Sequence, residues 1–191
     1  MELKGIVTVV TQPSTEPITL AQAKSHLRID HSDDDTYLNL CITAARSYFE
    51  KMCEITIPST TLKLSLDNFE DVLYLPKGPI QSVTEIVYWD SNEDEQNVAD
   101  WQEDIASGPA RLMPLLDESW PETAGIMNAV EVTYVAGFVN AAAVPELLKQ
   151  GIKFYVGHLY ENREAVTEGS LSEVPLAVSS IINLFTNGVY H

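Results

Sequence analysis

Positive charge is scarce in this sequence. Eleven Lys and Arg face 28 Asp and Glu in 191 residues, a formal net charge of −17. A protein that grips nucleic acid neutralises phosphates with its cations. Here the cations are scattered and form no basic run, so the chain is expected to repel DNA on average. Cysteine is nearly absent. Cys41 and Cys53 fall twelve residues apart in what reads as one helix. Their axial separation of roughly 18 Å exceeds the ~5–6 Å between bridged Cα atoms, so they cannot pair with each other. Two unpaired thiols suit a reducing cytoplasm. There is no Cys-x-x-Cys and no His/Cys cluster, which leaves no zinc signature. All nine glycines are isolated, so no phosphate-cradling loop can be drawn. No Gly-x-Ser-x-Gly occurs, and His26, His31, His158 and His191 are spread along the chain without a nucleophile motif. Long apolar runs are missing too. Met1–Val10 carries Glu2 and a short apolar stretch, read as neither a signal peptide nor a span, which needs about 20 apolar residues.

What is present describes an ordinary globular protein, with 45% hydrophobic and 20% charged residues. A chain of this size can bury roughly 70% of its unfolded surface. Residues 1–18 read as irregular or as an edge strand, punctuated by Pro13 and Pro17. Thr19 opens a short helix over 19–29, and Gln22 completes a capping box with it. A polar turn over 30–35 follows, and Ser32 or Asp33 is expected to cap a long helix reaching about Cys53. Its apolar positions, Leu38, Cys41, Ile42, Ala45, Phe49 and Met52, recur at helical spacing.

After Ile57-Pro58 the period changes to two. Leu62, Leu64 and Leu66 alternate with Thr61, Lys63 and Ser65, a half-buried strand. Further strands are expected at 72–75, 83–89, 111–113 and 130–135, and the acidic run 90–95 should close a hairpin. Pro145 then opens a helix to about Glu161, with Leu148, Ile152, Tyr155, Val156 and Leu159 on its apolar face. A Glu/Gly/Ser-rich loop spans 164–174, and a last helix runs from Pro175 to Phe185 with Val178, Ile181, Ile182 and Phe185 buried. The fold class is α+β: a bundle of about four helices with an antiparallel β module inserted between the second and third. Residues 1–57 form the N-terminal helical region, residues 58–140 the β module, and residues 141–191 the C-terminal helical region and tail.

Each chemical candidate has a plainer reading. Asp33-Asp34-Asp35 offers hard oxygen ligands of the kind calcium or magnesium takes. Its spacing is not that of an EF-hand, and carboxylates ahead of a helix stabilise its positive end, so capping is preferred. Glu93, Asp94 and Glu95 read as a solvated hairpin tip. Lys149, Lys153 and Arg163 would make a weak basic patch, but Glu146 lies at pairing distance from Lys149, and helix-surface pairing is preferred. His158, beside Tyr155 and Leu159, reads as a packing or surface residue. Gly151 and Gly157 are read as close-packing points in a helix. No catalytic, cofactor or metal residue is assigned.

Several stretches together resemble the head–tail connector (adaptor) proteins of tailed phages. They begin with Glu16–Leu20, Ala23-Lys24, His26–Asp30, Asp35 and Tyr37 through Ala44–Arg46. They continue with Leu75–Ile80, Ser82-Val83, Pro109–Leu112, Trp120-Pro121, Val130–Tyr134 and Ala136–Phe138. They end with Val144-Pro145 and Tyr160–Glu164. The match runs over about residues 16–185. The resemblance implies helices around an inserted β module and a homo-oligomeric ring of about a dozen subunits under the portal protein. It also implies a stopper or tail-completion protein below and double-stranded DNA passing through the channel without sequence-specific binding. The location implied is the virion's head–tail interface, after assembly in the host cytoplasm.

On this reading, carboxylates lining the lumen would repel the phosphate backbone. A portion of the helical bundle would make the subunit contacts. Phe185, Val189 and Tyr190 at the C-terminal end would dock on the portal. No cofactor and no membrane contact are expected. The alternative is a tail-completion or DNA-packaging-associated assembly factor. A metal-dependent enzyme using Asp33–Asp35 comes behind both.

Overall fold

Thr19 sets the start of the first helix by the reciprocal bonding its sequence announces. Its hydroxyl accepts from the Gln22 amide at 3.2 Å, and the Gln22 side chain accepts from the Thr19 amide at 2.8 Å. Helix α1 follows over Leu20–Leu27 and stops at Arg28, whose left-handed backbone (φ 59°) ends the helix. The computed structural model describes residues 5–163 and 175–186. Ahead of α1 lies strand β1 (Ile6–Thr11), and after it helix α2 (Asp35–Cys53). Then come β2 (Thr60–Leu66), β3 (Leu73–Leu75), β4 (Ile80–Trp89), β5 (Glu95–Asn97), β6 (Gln102–Asp104), β7 (Ala110–Met113) and β8 (Val130–Ala136). Helices α3 (Glu146–Glu161) and α4 (Leu176–Thr186) complete the described chain. The fold is α+β, with four helices and two antiparallel sheets among the described residues.

The chain divides into two compact units, one holding residues 1–13 and 59–139, the other 14–58 and 140–190. In the first, a five-stranded sheet runs in the order β1-β2-β8-β4-β5 and a three-stranded one in the order β3-β7-β6. The expected leucine alternation in β2 holds: Leu62, Leu64 and Leu66 are buried, while Thr61, Lys63 and Ser65 are half-buried. They join Val130, Val132, Tyr134 and Ala136 of β8, Ile86 of β4, Leu73 and Leu75 of β3, and Ala110 and Leu112 of β7 in one core. Tyr134 is fully buried, and its hydroxyl donates to the Pro76 carbonyl at 3.0 Å in place of water. Desolvation pushes that phenol far up. The hairpin at 90–95 forms around Asp90, whose carboxylate accepts from the Asn92 and Asp94 amides at 2.8 and 3.2 Å. Two short polar strands, β5 and β6, carry no apolar alternation and escape a pattern reading.

In the second unit, α2 buries Leu38, Cys41, Ile42, Ala45 and Phe49 as its periodicity predicts. Met52, expected on that face, is 46% exposed, and Cys53 is buried instead. The apolar stripe therefore continues one position later at the last turn. Burial pushes both thiols up, to the inert side of neutrality. Pro145 is the N-cap of α3 rather than its first helical residue. Leu148, Ile152 and Val156 are buried there, and Tyr155 and Leu159 are half-buried. All four residues expected inside α4, Val178, Ile181, Ile182 and Phe185, are buried.

Gly151 lets α2, α3 and α4 meet. A Cβ at that position would stand 2.8 Å from Phe49 Cζ and 3.1 Å from Ile181 Cγ2. Alanine in place of glycine adds about 1 kcal/mol of helix propensity, but overpacking a filled core costs about 1–3 kcal/mol. Phe49 is fully buried and has nowhere to withdraw, so the steric cost wins. Gly151→Ala is expected to lose about 1 kcal/mol net, read as a lower urea midpoint at an unchanged slope.

Candidate functional site

The stretches that carry the family resemblance turn out to be fastening points. Glu16, in the segment entering α1, meets two residues of α2: its carboxylate accepts from Thr43 Oγ1 at 2.9 Å and from Arg46 Nε at 2.8 Å. Arg46 Nη1 also bonds Glu50 at 2.6 Å, and the other Glu50 oxygen accepts the Ile57 amide at 2.9 Å. One guanidinium, 11% exposed, thus holds both the entry to α1 and the exit from α2. Burial by itself would lower the Arg46 pKa. The Glu16 bond and the charges of Glu50 and Glu16 outweigh it and raise the value.

The Asp33-Asp34-Asp35 run is divided among different tasks. Asp34 is the N-cap of α2 but makes no side-chain capping bond, so neither Ser32 nor Asp33 caps the helix as expected. The Tyr160 hydroxyl donates to Asp34 Oδ2 at 2.6 Å, and Arg163 Nη2 lies 2.9 Å from Oδ1. The Arg163 guanidinium also sits over the rings of Tyr37 (4.6 Å) and Tyr160 (4.8 Å). Tyr37 donates to the Leu159 carbonyl at 3.1 Å. Asp35 takes Lys24 of α1 at 2.7 Å. Asp33 is exposed, 3.9 Å from His31. Among the described residues no three His, Cys, Asp or Glu side chains converge to hold a metal ion.

The Asp34–Tyr160–Arg163 cluster latches the last turn of α3 to the first turn of α2. Sequence reasoning missed it because its halves lie far apart in the chain; the only advance signal was that Tyr160–Glu164 and Tyr37 both belong to the resembling stretches. Lys149 is likewise not a patch residue. It pairs with Glu146 at 2.7 Å, as preferred, and is buried. Lys153 lines a shallow surface depression with Ala21, Gln22, Ser25 and His26.

The remaining matched stretches shape the β module. Leu75–Ile80 turns from β3 into β4, and the Pro79 carbonyl accepts the Gly137 amide at 2.8 Å. Arg111 Nη2 lies 3.0 Å from Asp104, whose carboxylate also takes the Ser107 hydroxyl at 2.8 Å, closing the β6–β7 turn. Trp120 stacks on Phe69 with ring centroids 4.9 Å apart. Of the proposed docking residues, Phe185 is 4% exposed on the inner face of α4, and Val189 and Tyr190 lie outside the described residues.

The hydrogen bond from Tyr160, then that from Arg163, hold the Asp34 carboxyl below its usual range. A depressed carboxylate stabilises the fold above its unfolded pKa of about 4, and that contribution fades as pH falls through the folded value. Asp34→Asn at neutral pH should therefore lower amide protection at 159–163 while β2 and β8 keep theirs. Wild type should approach the variant on acidification below about pH 4. Hydrogen exchange corrected for intrinsic rates reads both.

None of the curated proteins compared with this chain matches it. Solved structures do. A chain in the virion of a native gene transfer agent (GTA) particle shares the fold with a TM-score of 0.78 at 23% identity, over 94% of each chain. Chains in the neck of an empty GTA particle computed with C6 symmetry and of a native one computed with C12 symmetry give 0.75 and 0.73 at 24% identity, with the same coverage. Residues 17–107, from the entry of α1 into the β module, match the model of the phage gp6-like head-tail connector protein family, the family the sequence resembles.

Proposed function

We propose that this chain is a structural subunit of a phage-type head–tail connector, an adaptor ring of about a dozen copies docked under the portal. The observation that carries the reading is the coincidence of two likenesses. The connector family matches residues 17–107, and the fold covers 94% of chains taken from GTA particle necks. One of those necks was computed with twelvefold symmetry, which supports a ring of repeated copies.

In this reading the protein resides at the head–tail interface of the virion, extends the DNA channel and offers a lower surface to stopper or tail-completion proteins. The helices form a bundle with the β module inserted between α2 and α3, and a portion of the bundle makes subunit contacts. Leu40 on α2 (64% exposed) and Leu176 on α4 (85% exposed) are apolar residues open to such contact. The net charge of −17 suits a lumen whose carboxylates let DNA slide without adhering. Portal docking falls to the C-terminal end, with Phe185 seated in the helical core as the anchor from which Val189 and Tyr190 reach the portal.

Electron microscopy of the protein mixed with the portal ring of the same phage tests the reading. A ring stacked coaxially on the narrow end of the portal is expected; a well-formed portal left bare overturns it. Truncation after Thr186 keeps the buried face of α4 and should abolish docking. A truncated chain that still joins the portal removes the C-terminal end from the proposal.

A further inference from the structure

Among the described residues, strand β1 is packed closely on one side and bare on the other. On its inner side it pairs with β2 from Ile6 opposite Ser65 to Val9 opposite Leu62. At its start, a Cβ on Gly5 would stand 2.6 Å from Leu66 Cδ2 and 2.8 Å from the Ser65 carbonyl. On its outer side β1 ends the sheet, with no strand beside it among the described residues. The strand reads Ile-Val-Thr-Val-Val-Thr, six β-branched residues and no charge. Ile6 is 62%, Val9 46% and Val10 53% exposed.

Sheet edges left open are normally guarded by short length, charge, proline or a bulge. The opposite edge of this sheet is guarded: β5 is three exposed polar residues beginning with Glu95. Among the described residues of β1 the one such device is the register shift between Val9 and Thr11, which leaves Ile6–Val9 in regular pairing. An unguarded edge of this composition recruits extended backbone, because its outward amides and carbonyls, unpaired by any strand among the described residues, match a strand and not a helix or a duplex.

We infer that the outer edge of β1 receives an extended segment of a second copy of this chain. The inference rests on the connector reading above, in which every copy has one neighbour on each side and presents a different face to each. The cover must therefore be supplied once per copy, which a neighbouring copy does. Charge selects the same place. Two copies at −17 repel, and the neutral stretch Ile6–Thr11 lets them approach without juxtaposing like charges.

The test uses the full chain with Ile6→Lys and Val9→Lys together. Both side chains are exposed, so the melting temperature should hold, and Leu116→Lys, at an 83% exposed site off the strand, is the control. On portal rings viewed by electron microscopy, wild type and the control should close, and the double variant should give about tenfold fewer closed rings. Amides of residues 6–11 should also exchange more slowly in the wild-type ring than in the free chain. A double variant that closes rings like wild type, or β1 amides equally fast in both states, overturns the inference and leaves the connector reading standing. If wild type forms no ring on the portal, the connector reading falls. Sedimentation of the protein alone at high concentration then decides the edge: self-association lost in the double variant supports it, and a wild type monomeric throughout overturns it.

Discussion

Eleven cations must serve 28 carboxylates, and this shortage governs how the protein is fastened. Among the described residues Lys24, Arg46, Lys63, Arg111, Lys149 and Arg163 form ion pairs inside their own units. Exposed pairs contribute little, so placement decides their value. Arg46 is 11% exposed and serves two carboxylates at once, both mostly shielded, whereas the Glu146 partner of Lys149 is 84% exposed. Where shielding is weaker, other interactions are added. Arg163 has two aromatic rings beneath its guanidinium, and Arg111 shares its aspartate with Ser107. Using cations internally leaves an acidic exterior, which in the connector reading suits a channel wall that DNA does not adhere to.

Much of the fold was legible because its signals are local. The Thr19–Gln22 capping box, the β2 leucines and the stripes of α2 and α4 depend on residues within a few positions of each other. The failures came where distant groups decide. Asp34 looked like helix-end chemistry because nothing near it in the chain shows Tyr160 and Arg163. Lys149 looked like a surface residue because its burial is set by the packing of α3. Strands β5 and β6 are held by pairing with β4 and β7 and have no apolar alternation to betray them. The candidate site was legible only as a scatter of resembling stretches. The structure shows why those stretches go together, since most contain an ion pair, a turn or a ring contact that fixes one element to another.

Both units pair most of their buried polar groups internally while exposing apolar surface at selected points. In the connector reading these points are where neighbours and the portal take hold. The edge of β1 differs from Leu40 or Leu176 in kind, because it offers backbone hydrogen bonds as well as apolar side chains.

The meeting of Phe49, Gly151 and Ile181 has a consequence for descent. The space between α2 and α3 is a shared volume, filled from one side by a benzyl group and from the other by a hydrogen atom. A side chain gained at Gly151 costs less where the aromatic shrinks with it, so lineages that lose the glycine are favoured when residue 49 becomes smaller in step. Across relatives the two positions should covary in size, and what inheritance preserves there is the distance between the helix axes.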